Sequence, residues 1–343
     1  MRCNFLMKAL VTVPEGYIKS NFLCDEALKI LEENFEVTYN TLGREFTQAE
    51  LEEESEGKDI IVTGWGTPSF IGTNVFNKKT SVKLIAHTGG STGDLLDLDV
   101  YDKGVRVISG NRLFAESVAE GTIAYILMAL RNLPDEVMHM RRGGWKEFGY
   151  LDSRGLLDTT IGIIGCGMIS RYLMKMLKVF RVKIKIFSMY DIEQEFLDDV
   201  NAERASLEEI FSTCPIVSLH SALSDDTWGM IGKEHFDMMQ DGAIFINTAR
   251  ANIVRQDEMI AALKEQRIRA VIDVYAPEPP AKDSPLRSLP NVYAISHKAG
   301  PTSDRFPYIG KCVVEDAVRF VKGEELQHEI PYELAKRMTR KGV

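Results

Sequence analysis

The 343-residue sequence is short of several things, and each shortage narrows its chemistry. It has no excess of positive charge: 41 lysines and arginines face 50 aspartates and glutamates, a formal net charge of −9. With no basic stripe to displace phosphate counterions, nucleic acid is excluded as an expected partner. Cysteine is sparse as well. Cys3, Cys24, Cys166, Cys214 and Cys312 form an odd, scattered set without a CxxC pair. That argues against a disulfide scaffold or a zinc site, and for free thiols in a reducing compartment. The opening MRCNFLMKALVTV lacks the apolar core and cleavage site of a signal peptide. The longest apolar run, around Thr122 to Leu130, reads as too short to span a bilayer. No repeat of solenoid period and no low-complexity tract is present. The expectation is a soluble, cytoplasmic protein without a membrane partner or a resident metal. An acidic chain that binds an anion must build local positive potential from helix N-termini and a few arginines.

What is present is alternation. The length suffices for two packed domains. Strand-like runs occur at Ala9 to Val13, Phe35 to Asn40, Asp59 to Gly64, Val82 to Gly89 and Val105 to Gly110, with helical segments at Asp25 to Asn34 and Thr47 to Glu56. A long apolar helix over Ala115 to Asn132 and another opening at Pro134 follow. The second set of strands runs Thr159 to Gly167, Val182 to Phe187, Pro215 to His220, Ala243 to Ala249, Arg269 to Tyr275 and Val292 to His297. Strands alternating with helices predict an α/β protein of two Rossmann-like domains, each a doubly wound parallel sheet. The closing helix, Ser303 to Lys322, is expected to fold back on the first domain.

The apolar strand Ile161 to Ile164 runs straight into Gly165-Cys166-Gly167, with a helix expected from Arg171 to Lys178. This is the context a dinucleotide fingerprint needs. Gly165 permits the tight turn, Gly167 lets backbone N–H groups approach a pyrophosphate, and the helix N-terminus adds partial positive charge. Two positions depart from the usual pattern. Ser170 replaces the third glycine. Ser188 stands where an Asp or Glu would hold the adenosine ribose, which removes repulsion against a 2′-phosphate. No arginine directly follows Ser188, and Asp191 is an alternative ribose ligand. The cofactor is therefore NAD or NADP, with NAD the nearer fit.

Three side chains fall at strand ends of the second set: Arg250, Glu278 and His297. Reducing a 2-oxo acid needs a cation to grip the carboxylate, a proton donor at the carbonyl oxygen, and a partner that orients the donor and keeps it charged. Guanidinium, imidazole and carboxylate supply these roles in turn. Singly, each is more often a surface or structural residue; jointly, they point to catalysis. His220 reads as a cofactor-side residue or a structural cap, and Asp273 as a ribose or nicotinamide contact or a strand cap. His87, His139, His235 and His328 are taken as ordinary.

Taken in order, GWGTP, AESVAE, RRGGW, IGIIGCGMIS, VSLHSALSDDTWGMIG, GAIFINTAR, VIDVYAPEP and SHKAG make the chain, from about Asp59 to Lys322, resemble the D-isomer-specific 2-hydroxyacid dehydrogenase family, which includes phosphoglycerate dehydrogenase and hydroxypyruvate/glyoxylate reductases. The resemblance implies a cofactor domain, 113–301, inserted into a flavodoxin-like substrate domain, 1–112 with 302–343, and an active site in the cleft between them. It assigns Arg250 to substrate binding, Glu278 to the partner role and His297 to proton transfer. It places cofactor contacts at Gly165, Gly167, Met168, Ile169, Ser188, His220, Ser221, Thr248, Ala249, Asp273 and Gly300. It gives substrate-carboxylate contacts to the turn Thr88-Gly89-Gly90-Ser91, and implies a homodimer whose arm is Ala115 to Trp145. Besides Ser170 and Ser188, Ala222 and Ala251-Asn252 depart from the family pattern, and no regulatory domain is expected after the last helix. The alternative reading is a catalytically weak NAD(H)-sensing binding or corepressor-like protein on the same fold, since fold alone does not establish activity. Trp65, Arg112 and Arg305 are candidate substrate side-chain contacts or plain packing and surface residues.

Overall fold

The computed structural model describes residues 6–68, 71–72, 75, 81–146 and 153–338, so Cys3 lies outside the described residues. The chain divides into two compact units, Met1–Phe114 with Pro301–Gly342, and Ala115–Gly300.

The first unit is built on five parallel strands: β1 (Met7–Val11), β2 (Phe35–Tyr39), β3 (Ile60–Thr63), β4 (Leu84–His87) and β5 (Arg106–Ser109), in the order β2-β1-β3-β4-β5. Both faces are covered, so the strands read as unbroken apolar runs, as parallel sheets require. Ala9, Val11, Ile60, Val62, Leu84 and Ala86 pack on one face against Val313, Val314 and Ala317 of the helix Arg305–Lys322. Leu10, Ile61, Ile85 and Val107 pack on the other with Leu51 of the helix Gln48–Glu54. Thr47 caps that helix: its hydroxyl accepts from the Glu50 N–H at 3.3 Å while the Glu50 carboxylate accepts from the Thr47 N–H at 2.8 Å. The reciprocal pair satisfies two otherwise orphaned donors.

The second unit holds seven parallel strands: β6 (Thr160–Ile164), β7 (Lys183–Phe187), β8 (Ala202–Arg204), β9 (Ile216–Leu219), β10 (Ile244–Asn247), β11 (Arg269–Ile272) and β12 (Val292–Ala294). Their order, β12-β11-β10-β9-β6-β7-β8, reverses direction between β6 and β9. Open sheets of this kind bind ligands beyond the strands' carboxyl ends at that reversal. Ile161, Ile163, Ile244 and Ile246 face the helices Asn111–Leu130 and Met168–Leu177, while Ile164, Val217, Leu219 and Phe245 face Phe211 and Phe236. Six strands were expected and seven form. The additional one, β8, has only three residues, two of them exposed, so no apolar run announces it.

Two further expectations are corrected. The helix after the glycine loop begins at Met168 rather than Arg171, because Gly167 is its N-cap residue. The apolar stretch expected to be too short for a bilayer belongs to a 20-residue helix, Asn111–Leu130, which by length and composition alone could cross one. Its Ala119, Ile126 and Ala129 are fully buried in the second unit's core, the placement of a core helix.

The tightest helix contact in the first unit tests this packing. A Cβ on Gly310 would lie 1.6 Å from the carbonyl oxygen of Phe22. Gly310→Ala must therefore push the helix Arg305–Lys322 off the segment ending at Phe22, at a cost of about 1–3 kcal/mol. Denaturant unfolding should show that loss; unchanged stability would contradict the close approach.

Candidate active site

The glycine loop is shaped by the strand beside it. Gly165 has a φ of +98°, and a Cβ there would lie 2.6 Å from the backbone nitrogen of Ser221, so both the turn and the neighbouring strand end demand glycine. Its N–H donates to the Phe187 carbonyl at 2.8 Å, tying the loop to β7, and the His220 N–H donates to the Ile164 carbonyl at 2.7 Å, tying β9 to β6. Ser170 is fully buried and returns its hydroxyl to the Gly167 carbonyl at 3.0 Å, so a serine fits where a third glycine is usual. Met168 and Ile169 form the first helical turn.

Two observations fit a dinucleotide at this edge. The space where a Gly167 Cβ would stand is open, with no atom within 4 Å, so a ligand can approach the backbone. His220 is 7% exposed; its Nε2 meets the Ser218 hydroxyl at 2.8 Å, but its Nδ1 is buried without a protein partner. Buried polar atoms are nearly always paired, so this nitrogen suits a ligand group. Thr248 and Ala249 are buried at the end of β10, Thr248 meeting the Thr122 hydroxyl at 3.3 Å. Ser221 and Gly300 are partly exposed.

Arg250 follows β10 in extended conformation. Its main chain is set by Asn247, whose side-chain oxygen accepts from the Ala249 N–H at 3.0 Å and whose amide donates to the Arg250 carbonyl at 3.2 Å. The guanidinium donates to the Ala249 carbonyl at 2.7 Å.

Glu278 and His297 meet. His297 Nδ1 lies 2.9 Å from Glu278 Oε2, and the other Glu278 oxygen accepts from the Tyr275 N–H at 2.9 Å. Tyr275 pins the strand ends: its hydroxyl lies 2.8 Å from the carbonyls of both Ile272 and Ile295, and burial pushes its phenol up to about 12. Gln256 clamps the intervening loop through both the carbonyl and the N–H of Ala276, at 2.9 and 3.2 Å. A hollow of about 380 Å³ opens beside the pair, lined in part by Tyr275, Arg287 and Ile295.

His297 does not end a strand, as expected from VYAISH. β12 stops at Ala294, and His297 sits beyond it with a φ of +54°. Asp273 anchors the segment that follows His297. It is 1% exposed, and its carboxylate accepts from the N–H groups of Lys298 and Ala299 at 2.7 and 3.0 Å and from the Tyr125 hydroxyl at 3.2 Å. His297, in the left-handed region, stands immediately before these two donors.

Ser188 directly follows β7 and closes a turn with Tyr190, its hydroxyl accepting from that residue's N–H at 3.1 Å and donating to its carbonyl at 3.0 Å. In the other unit, Gly89 and Gly90 are buried after β4, and Ser91 is exposed. Trp65 is 46% exposed and packs edge-on against Phe22, Phe114 and Phe306. Arg305 lies over the Tyr308 ring. His87 is buried beside the Thr63 hydroxyl at 3.0 Å. Sequence reading missed Asn247, Gln256, Tyr125 and Tyr275, which brace the strand ends and loops of the site without resembling a motif.

A seven-stranded parallel sheet with a glycine turn at its reversal point defines a dinucleotide-binding protein. Similarity to known proteins narrows this. The family model described as D-isomer specific 2-hydroxyacid dehydrogenase, NAD binding domain, matches residues 123–299. The D-3-phosphoglycerate dehydrogenase of Methanocaldococcus jannaschii is 32% identical over 324 residues, covering 93% of this chain and 58% of that protein. The human glyoxylate reductase/hydroxypyruvate reductase is 28% identical, covering 69% of this chain and 74% of its own length. The crystal structure of a phosphoglycerate oxidoreductase from Rhizobium etli superposes with a TM-score of 0.78 at 25% identity, over 98% of this chain and 100% of that one. The chain belongs to the D-isomer-specific 2-hydroxyacid dehydrogenase family. It spans 58% of the length of the M. jannaschii relative.

Burial makes two histidines acid-sensitive points of this fold. It holds the imidazoles of His87 and His220 down at about 4, against 6.5 when solvated. Between those values the unfolded chain binds protons that the folded chain refuses, so stability is full above about pH 6.5 and falls as pH drops towards 4, by roughly 3 kcal/mol per histidine. Denaturant unfolding at pH 7.5 and 4.5 should show the loss, and His220→Gln should remove its share; an identical pH dependence in that variant would contradict a buried neutral His220.

Proposed function

We propose that the chain is a nicotinamide-dependent oxidoreductase that interconverts small 2-oxo and D-2-hydroxy acids. The observation that carries this reading is the His297–Glu278 bond at one edge of the sheet whose β10 end carries Arg250. When bound, the nicotinamide supplies or accepts the hydride. The chain's own residues bind, orient and move a proton. Arg250 grips the substrate carboxylate, where a planar fork of donors matches two oxygens. His297 gives its Nε2 proton to the carbonyl oxygen as the alcohol forms and takes it back in the reverse direction. Glu278 accepts from Nδ1, fixing the tautomer and stabilising the imidazolium. The loop Gly165 to Gly167 and the first turn after it hold the pyrophosphate, and His220 offers its buried Nδ1 to the ligand.

Steady-state oxidation of NADH and NADPH at 340 nm with a panel of 2-oxo acids tests the reading. His297→Ala should lower kcat by about 10²–10⁴-fold, and Arg250→Lys should chiefly raise KM because paired geometry is lost. If the dinucleotides bind while every acid is inert, the chain is instead a dinucleotide-sensing binding protein.

We also propose that the protein works in the cytoplasm as a homodimer. The helix Leu133–Arg141 and the turn after it expose Leu133, Val137, Met140 and Trp145, at 50%, 49%, 50% and 72%, and exposed apolar groups gathered on one segment mark an interaction surface. Light scattering should give twice the chain mass for the wild type and the single mass for Val137→Glu/Met140→Glu; a monomeric wild type would overturn the dimer.

A further inference from the structure

The oxidoreductase reading leaves the choice of dinucleotide open, and the far half of the second sheet bears on it. In a sheet of this order the adenosine ribose lies over the carboxyl end of the second strand, here β7, beside the third, β8. Ser188 is the first residue past β7. It brings no charge where a carboxylate would both hold the ribose hydroxyls and repel a 2′-phosphate. The cation that no residue directly after Ser188 provides comes instead from the neighbouring strand. Arg204 ends β8, pairs in register with Ile186 of β7, and is exposed.

Its Nη2 donates to the carbonyls of Ser188 and Tyr190 at 3.2 and 3.1 Å, so the guanidinium is fixed against the turn that Ser188 closes. Those carbonyls engage one nitrogen of a five-donor group. Arg204 forms no ion pair with a carboxylate among the described residues, so its charge stays available to an anion. The nearby acids do not cancel it. Glu193 is committed to Arg171 at 2.5 Å, and that guanidinium in turn lies over the Phe196 ring. Asp191 is exposed to solvent beyond the turn.

We infer that this chain takes NADPH in preference to NADH, with the Arg204 guanidinium holding the 2′-phosphate beside the uncharged Ser188. An uncharged serine and a pre-positioned arginine without a carboxylate partner suit a dianionic phosphate, and neither gives a bare ribose the bidentate acceptor it favours. The inference rests on the oxidoreductase reading but concerns only the adenosine end of the site.

Equilibrium binding of NADPH, NADH, 2′,5′-ADP and 5′-AMP, read by fluorescence or calorimetry without any substrate, tests it. NADPH should bind at least about tenfold more tightly than NADH, and 2′,5′-ADP more tightly than 5′-AMP by a similar factor, the worth of hydrogen bonds to a charged group. Arg204→Leu should reduce the NADPH-to-NADH preference roughly 10- to 100-fold, and Ser188→Asp should reverse it. Equal affinities in the wild type, or tighter NADH, would overturn the inference and leave the oxidoreductase reading standing. A loss in Arg204→Leu that is the same for both dinucleotides would make Arg204 a brace for the turn and overturn it too. A chain that binds neither dinucleotide would overturn both readings.

Discussion

The buried carboxylate of Asp273 is the interaction on which the site's geometry depends. It sits at the end of β11 with 1% exposure, in surroundings where an unpaired charge would be prohibitive. The chain satisfies it with two consecutive backbone N–H groups, from Lys298 and Ala299, and with the hydroxyl of Tyr125 from the long helix. β12 ends at Ala294, and His297, just before those two donors, sits in the left-handed region at a cost of about 1 kcal/mol. The strained residue is the one proposed to carry the proton. Asp273 holds the two residues after it, and Glu278 holds its ring.

The same logic runs along the sheet's carboxyl edge. Each group of interest sits at or just past a strand and is held by a strand end, its own or a neighbour's. Ser221 shapes Gly165, Asn247 shapes Arg250, Tyr275 spans Ile272 and Ile295, and Arg204 shapes Ser188. Parallel strands place all these ends at one edge, so a rigid core of Ile, Val and Phe side chains fixes polar groups it never touches. An acidic chain thereby concentrates helix N-terminal N–H groups and the guanidiniums of Arg171, Arg204 and Arg250 where an anionic dinucleotide and a carboxylate would lie.

Much of this was legible in the residues. Continuous apolar runs announced the core strands, and the order strand, Gly165-Cys166-Gly167, helix announced the turn, because both depend on local chemistry. Arg250, Glu278 and His297 were recognisable by type and by their place after strands. What was not legible depended on contacts between distant segments. β8 has no apolar signature and pairs along the edge of β7, so nothing in the sequence singled out Arg204. The run VYAISH read as one strand through His297, since nothing in its composition shows that the strand stops at Ala294. Gln256 clamps Ala276 from the start of another helix, a pairing invisible until the helix is docked.

The central claim, that one edge of this sheet brings a proton donor and a carboxylate clamp onto the same small acid, is tested most directly by a crystal structure with dinucleotide and oxamate, an unreactive 2-oxo acid mimic. The account predicts the His297 Nε2 at about 3 Å from the oxamate carbonyl oxygen, with the Arg250 guanidinium on its carboxylate. Oxamate bound with its carbonyl beyond reach of His297, or with its carboxylate held by groups other than Arg250, would contradict it.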